Sequence, residues 1–167
     1  MVTPKLHITH KARYMAAHAD NFAATYPAAF KDHGLPGVVI PDTRKSNGLT
    51  TFIVNFLTWK GHRATRINVS GRLIEQPEKQ ASGIILGTKK YMHSRTRKGT
   101  ADISSTVLIN GVGRSVQWEI KVGRDRPSPA QLEEQKREQR AGGFYFFVHD
   151  AAEFFYLYDS LFNLAGT

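Results

Sequence analysis

The chain has 167 residues, a length that suits a single domain of roughly 100 to 200 residues, and it carries 23 Lys+Arg against 14 Asp+Glu, a formal net charge of +9. Apolar residues at 41% and charged residues at 22% support a buried core and exclude compositional disorder. The absence of cysteine excludes a disulfide scaffold, a thiolate metal site and a cysteine nucleophile. In chain order, residues from about Lys11 to Thr25 are Ala-rich with Tyr14, Ala17, Phe22 and Tyr26 at helical spacing, and read as an accessory N-terminal helix. Pro27, Gly34, Pro36, Gly37, Pro41 and Gly48 then punctuate an extended connection. A second helix is predicted over Leu49 to Lys60, with Gly61 as its stop. Ser46 to Trp59 is the longest uncharged stretch, 14 residues, well under the roughly 20 a bilayer requires. No membrane span is expected, and the N-terminus lacks the apolar run of a secretion signal.

Alternation of Thr65, Ile67 and Val69 with polar neighbours predicts a strand over Ala64 to Ile74. A long, polar, basic loop is expected from about Glu75 to Gly99. Val107-Leu108-Ile109, the Asn110-Gly111-Val112-Gly113 turn signal and Arg114 to Val122 predict a β-hairpin. Ser128-Pro129-Ala130-Gln131 opens a charged helix, with Ser128 as N-cap, Pro129 at the first helical position and Gln131 completing a capping box. Gly142-Gly143 ends it. A buried strand over Phe144 to His149 and a helix from about Ala151 to Phe162 close the chain. His7 and His10 have the i, i+3 spacing of metal ligands but no carboxylate companion, and read as exposed.

The charge is regional. Between Lys60 and Arg126 there are 14 bases and 5 acids, so this segment holds the whole excess of +9 and the rest of the chain sums to zero. Such a segment collects phosphates by electrostatic attraction and counterion release. With Gly111 and Val112 as the hairpin tip, cross-strand partners sum to 223, which pairs Ile103 with Ile120, Ser105 with Trp118 and Val107 with Val116 on an apolar face. The opposite face then carries Asp102 across from Lys121, with Glu119 one diagonal step away. Two carboxylates within reach of one another suit a hard divalent cation, Mg²⁺ or Mn²⁺. With a lysine beside them they form the parts list for phosphodiester hydrolysis.

These residues resemble the VRR-NUC domain of the PD-(D/E)xK nuclease superfamily, of the Holliday-junction-resolvase-like, phage or bacterial type. The resemblance rests on Gly99-Thr100-Ala101-Asp102-Ile103, on Trp118-Glu119-Ile120-Lys121-Val122-Gly123, on Ser128 to Gln131 and on Ala141-Gly142-Gly143-Phe144-Tyr145, in order from about Asn47 to Phe162. It implies an α/β, restriction-endonuclease-like core with a central mixed β-sheet flanked by helices, over residues 47–167. Residues 1–46 then form an N-terminal helical extension and Pro/Gly-rich linker. It further implies a Mg²⁺- or Mn²⁺-dependent DNA endonuclease selective for branched or Holliday-junction DNA, acting as a homodimer without organic cofactor in the cytoplasm of a bacterial or phage-infected cell. Carried over by position, Asp102, Glu119 and the backbone carbonyl of Ile120 are metal ligands, Lys121 is the catalytic lysine and Gln131 an auxiliary site residue. Ser46 to Lys60 contains no acid, so the first-helix Glu of many relatives has no counterpart. Arg95, Arg97, Lys98, Arg124 and Arg126 are the expected DNA contacts. The competing functions are a nucleic-acid-binding module on the same fold that does not cut, and a nuclease acting on RNA.

Overall fold

The computed structural model describes residues 4–67, 72–79, 85–92 and 97–164, with side chains over 10–67 and 97–163. In chain order the elements are α1 (Pro4–Thr25), α2 (Pro27–His33), α3 (Ser46–Trp59), β1 (Arg63–Arg66), β2 (Arg72–Lys79), β3 (Ile85–Met92), β4 (Ile103–Ile109), β5 (Val112–Ile120), α4 (Pro129–Arg140), β6 (Phe144–Val148) and α5 (Ala151–Leu164). Four strands form one sheet in the order β1-β4-β5-β6. The first three are antiparallel, and β6 lies parallel to β5. The architecture is α/β, with a mixed sheet flanked by helices.

The hairpin tip is Asn110-Gly111, not Gly111-Val112. Both residues have positive φ, 49° and 81°, as a two-residue type I′ turn requires. A β-branched valine cannot take that conformation cheaply. The pairs are therefore Ile103 with Trp118, Ser105 with Val116 and Ile109 with Val112, two residues removed from the expected register. Because side chains alternate with period 2, a two-residue shift leaves every residue on its predicted face. It moves Asp102 to the level of Glu119 rather than Lys121.

Three other expectations are corrected. The strand expected over Ala64 to Ile74 is divided: β1 ends at Arg66, and β2 pairs with β3 in a separate two-stranded sheet. Within the expected loop from Glu75 to Gly99, the described residues 75–79 and 85–92 are thus paired antiparallel strands, with Glu75 opposite Lys89 and Pro77 opposite Gly87. Pro77 cannot donate to a ladder, but a two-stranded sheet consists only of edges, where proline is tolerated. The extended connection after Pro27 likewise begins with a short helix, α2, started by Pro27 in its first turn.

Helices α1, α3 and α5 close one face of the larger sheet. Ile103, Val107, Val116, Trp118 and Ile120 from the sheet meet Leu49, Phe52, Ile53 and Phe56 of α3 and Phe154, Phe155 and Leu161 of α5, all buried. The N-terminal helix, expected as an accessory element, contributes fully buried Tyr14 to this core. Tyr14 stacks on Phe52 at 4.3 Å between ring centroids and accepts a hydrogen bond from Asn55. Arg13 reaches Asp159 of α5 through both terminal guanidinium nitrogens and lies over the Phe155 ring. Trp118 donates its Nε1 hydrogen to Ser105 Oγ at 2.9 Å, and Ser105 donates to the Val116 carbonyl. The core hydroxyl is thereby satisfied.

Helix α3 ends in a Schellman motif. Gly61, at φ 79°, donates to Thr58 O, and His62 donates to Leu57 O. Helix α4 ends the same way, with Gly142 donating to Gln139 O and Gly143 to Glu138 O. Among the described residues no helix is long and apolar enough to cross a membrane.

Candidate active site

Alternation along β5 and into Lys121 just past its end sends Trp118 and Ile120 to the apolar core and Glu119 and Lys121 to the opposite face. On that face Glu119 is only 4% exposed and Lys121 5%. Helix α4 accounts for this depth. Ser128 Oγ accepts from Gln131 N, and Gln131 Oε1 accepts from Ser128 N at 2.8 Å, the predicted capping box. The amide of the same glutamine points inward, donating from Nε2 to Glu119 Oε1 over a short 2.5 Å. Gln131 thus caps its helix and holds the buried carboxylate with one side chain.

Around Glu119 the other partners are set by neighbouring strands. Lys121 Nζ lies 3.1 Å from Glu119 Oε1. Asp102, just before β4, accepts from Ile120 N through Oδ2 at 3.0 Å, which fixes its carboxylate at the open end of the β4–β5 ladder. In a strand the N–H and C=O of one residue point to the same side, so the Ile120 carbonyl shares the edge that faces Asp102. Tyr145 of β6 donates its hydroxyl to the Gly99 carbonyl at 2.9 Å. Gly99 itself sits at φ 88° against the start of α4, where an added Cβ would fall 2.3 Å from Ala130 O. No residue larger than glycine fits there.

The electrostatics follow from this packing. Burial, reinforced by the negative charge of Asp102, raises the Glu119 carboxyl to about 7 in spite of Lys121. Burial alone would lower the Lys121 ammonium, but hydrogen bonds and charge from Glu119 and Asp125 outweigh it and hold the group above its ordinary value. Burial, then the Glu119 and Asp102 charges, pushes the Tyr145 phenol upward, so it stays a neutral donor. Glu119 Oε2 is buried with no hydrogen-bond partner, an arrangement that costs free energy unless something occupies it.

That orphaned oxygen, the adjacent Asp102 carboxylate and the Ile120 carbonyl form an all-oxygen donor set that fits Mg²⁺ or Mn²⁺. Among the described residues no group of three or more His, Cys, Asp or Glu gathers to hold a metal. Water and phosphate oxygens would have to complete a coordination shell, as is usual for Mg²⁺.

Of the predicted site residues, Asp102, Glu119, Ile120, Lys121 and Gln131 come together. Arg124 and Arg126 are exposed on the loop after β5, and Lys98 is exposed on the turn before Asp102. Arg97 on that turn lies 3.7 Å from Glu134 of α4. Arg95 lies outside the described residues. Three participants were not singled out from the sequence as site residues: Tyr145, Asp125 and Gly99. Tyr145 is paired with Gln117 on the parallel neighbour strand, a pairing that local spacing does not reveal. Asp125, whose Oδ2 lies 3.2 Å from Lys121 Nζ, sits in the loop that turns at Gly123, and a four-residue spacing outside a helix does not reveal that contact. No family model matches the chain, and no curated protein or solved structure matches it either.

Proposed function

We propose that the chain is a metal-dependent endonuclease of the VRR-NUC type within the PD-(D/E)xK superfamily, with a restriction-endonuclease-like core, hydrolysing phosphodiester bonds in branched DNA. The observation that carries this reading is the cluster of buried Glu119 and Lys121 with half-buried Asp102, in which Glu119 Oε2 is left unpartnered beside a second carboxylate. A solvated sheet face with an ordinary cross-strand ion pair would neither bury Glu119 nor leave its oxygen bare. The regional charge of +9 between Lys60 and Arg126 supports a polyanionic substrate.

Asp102, Glu119 and the Ile120 carbonyl would hold the divalent cation. Bound there, it supplies Lewis-acid neutralisation of phosphate charge and a lowered pKa for water. Gln131 fixes Oε1 of Glu119 and thereby aims Oε2 away from α4. Lys121, protonated, orients the attacking water and donates to a non-bridging phosphate oxygen as negative charge builds there. Arg124 and Arg126, exposed beyond the strand end, engage flanking phosphates.

Linear, flap and four-way DNA and matched RNA, incubated with the protein and Mg²⁺ or Mn²⁺, test the reading. Branched DNA should be cut, cutting should stop on chelation, and Glu119→Ala and Lys121→Ala should abolish it without unfolding the protein. Full cleavage by folded Glu119→Ala would overturn the assignment.

A further inference from the structure

Lys121 Nζ is held by two carboxylates of different character. Glu119 is buried with it, both side chains being 6% exposed, whereas the Asp125 side chain at 3.2 Å is 56% exposed. An ammonium has three N–H donors. One is committed inward to Glu119, and one is covered from the solvent side by Asp125.

The loop that makes this second contact turns at Gly123, where φ is 73°. It carries Asp125 between two arginines, Arg124 and Arg126, both exposed. Neither arginine pairs with Asp125. The carboxylate bonds the deeper lysine instead. An ion pair with one partner this exposed is held only weakly, so it yields readily to a competing anion. The inner contact does not, because breaking it would leave Glu119 buried without its cation.

We infer that Asp125 is an anionic placeholder on Lys121, occupying the position on the ammonium that a non-bridging phosphate oxygen of the DNA takes, and that substrate docking displaces it. The inference rests on the nuclease reading for its ligand. A carboxylate oxygen and a phosphodiester oxygen offer the same charge-assisted contact to an ammonium. Outward rotation of Asp125 leaves Arg124 and Arg126 on either side of the arriving backbone. In the free protein the contact keeps Lys121 aligned. On substrate it works against binding, as any fixed negative charge at a phosphate site must.

The test is DNA binding by the full chain with chelator present, so that cleavage does not enter. Four-way DNA is titrated with the wild type, Asp125→Asn, Glu133→Gln as a control acid of α4, and the pair Lys121→Met and Lys121→Met/Asp125→Asn. Asp125→Asn should tighten binding about five-fold at about 0.1 M salt. Glu133→Gln should change it less than about two-fold, and the Asp125→Asn gain should vanish when Lys121 is methionine. Should the methionine variants fail to fold, the comparison with Glu133→Gln still decides. Unchanged or weakened binding by Asp125→Asn would assign Asp125 to holding Lys121 in place and overturn the placeholder. An equal gain from Glu133→Gln, or persistence of the gain without Lys121, would reduce the effect to bulk charge and also overturn it. No binding by any variant, wild type included, either with chelator or with Ca²⁺ in its place, would remove the nuclease reading itself.

Discussion

The two faces of the four-stranded sheet are built on opposite principles. The face under α1, α3 and α5 is closed by aromatic and aliphatic side chains, with Trp118 in edge contact with Phe154 and its indole hydrogen satisfied by Ser105. The face under α4 carries Asp102, Glu119, Lys121 and Tyr145, and the helix that covers it buries none of its own residues. One face lowers the free energy of the fold, and the other spends some of it by burying a carboxylate with a bare oxygen. Neighbouring residues of one strand therefore serve different ends, which makes them separable by mutation.

The largest expected effects separate Trp118 from Glu119. Trp118→Ala should cost about 3 to 5 kcal/mol of stability through the cavity it opens, read as a fall in denaturation midpoint. DNA cleavage by the fraction still folded should be largely retained. Glu119→Ala should do the reverse, lowering cleavage by on the order of 10³-fold or more while leaving the midpoint unchanged or raised. If both variants lose stability and activity together, the two faces do not divide the work in this way.

Gly99→Ala acts on the polar face through the backbone. The new methyl meets Ala130 O at 2.3 Å and the φ of 88° is unfavourable for it, so the Gly99 turn and the first turn of α4 must separate. A cost of about 1 to 3 kcal/mol is expected. Since Tyr145 bonds Gly99 and Gln131 bonds Glu119, cleavage should fall beyond what the stability loss explains. Retained cleavage at a lowered midpoint would detach the turn from the site.

How much of this was legible in the sequence differs between the faces. The apolar face was readable because its alternation in β4 and β5 survives a two-residue error in register. Ser128 and Gln131 were readable because a capping box is a local signal. The register itself was missed by placing the turn one residue late, although Asn110 is the residue type that tolerates positive φ. The β2–β3 strand pair was missed because its charged residues and Pro77 suppress the alternation by which strands are recognised. The depth of Glu119 was beyond local reading. It depends on α4 packing over β6 so that Gln131 reaches Glu119, and on Tyr145 arriving from a parallel strand.

The faces also respond to pH with opposite signs. In metal-free protein Glu119 is raised from an ordinary 4.5 to about 7. The folded state therefore keeps a proton that the unfolded state releases between those values. Its stabilising contribution is full below 4.5 and is lost as pH rises through 7, at no more than about 1.4 kcal/mol per pH unit. Glu119→Gln should be relatively more stable than wild type at pH 8 than at pH 5, and Mg²⁺ should narrow that difference. His62, bonded through Nε2 to Tyr158 at 2.8 Å, is lowered by burial and then by Lys60. Its contribution is present above the ordinary 6.5 and lost as pH falls, so His62→Gln should flatten the acid side. Denaturant midpoints across pH 4.5 to 8.5 for the three proteins would expose an error in either sign.

The smallest effects distinguish the two tasks of the α4 capping box. Ser128→Ala removes the acceptor for Gln131 N and should cost about 1 kcal/mol, with cleavage close to wild type, because the Gln131 amide can still reach Glu119. Gln131→Ala loses the reciprocal cap, worth a similar amount, and also frees Glu119 Oε1 from its 2.5 Å contact. Its cleavage should drop by about ten-fold or more at comparable stability. Gln131→Glu restores an acceptor for Ser128 N but sets a third carboxylate against Glu119, so it should recover the cap without recovering cleavage. Equal kcat values for Ser128→Ala and Gln131→Ala would mean that Gln131 serves the helix alone, and that Lys121 suffices to hold the buried carboxylate.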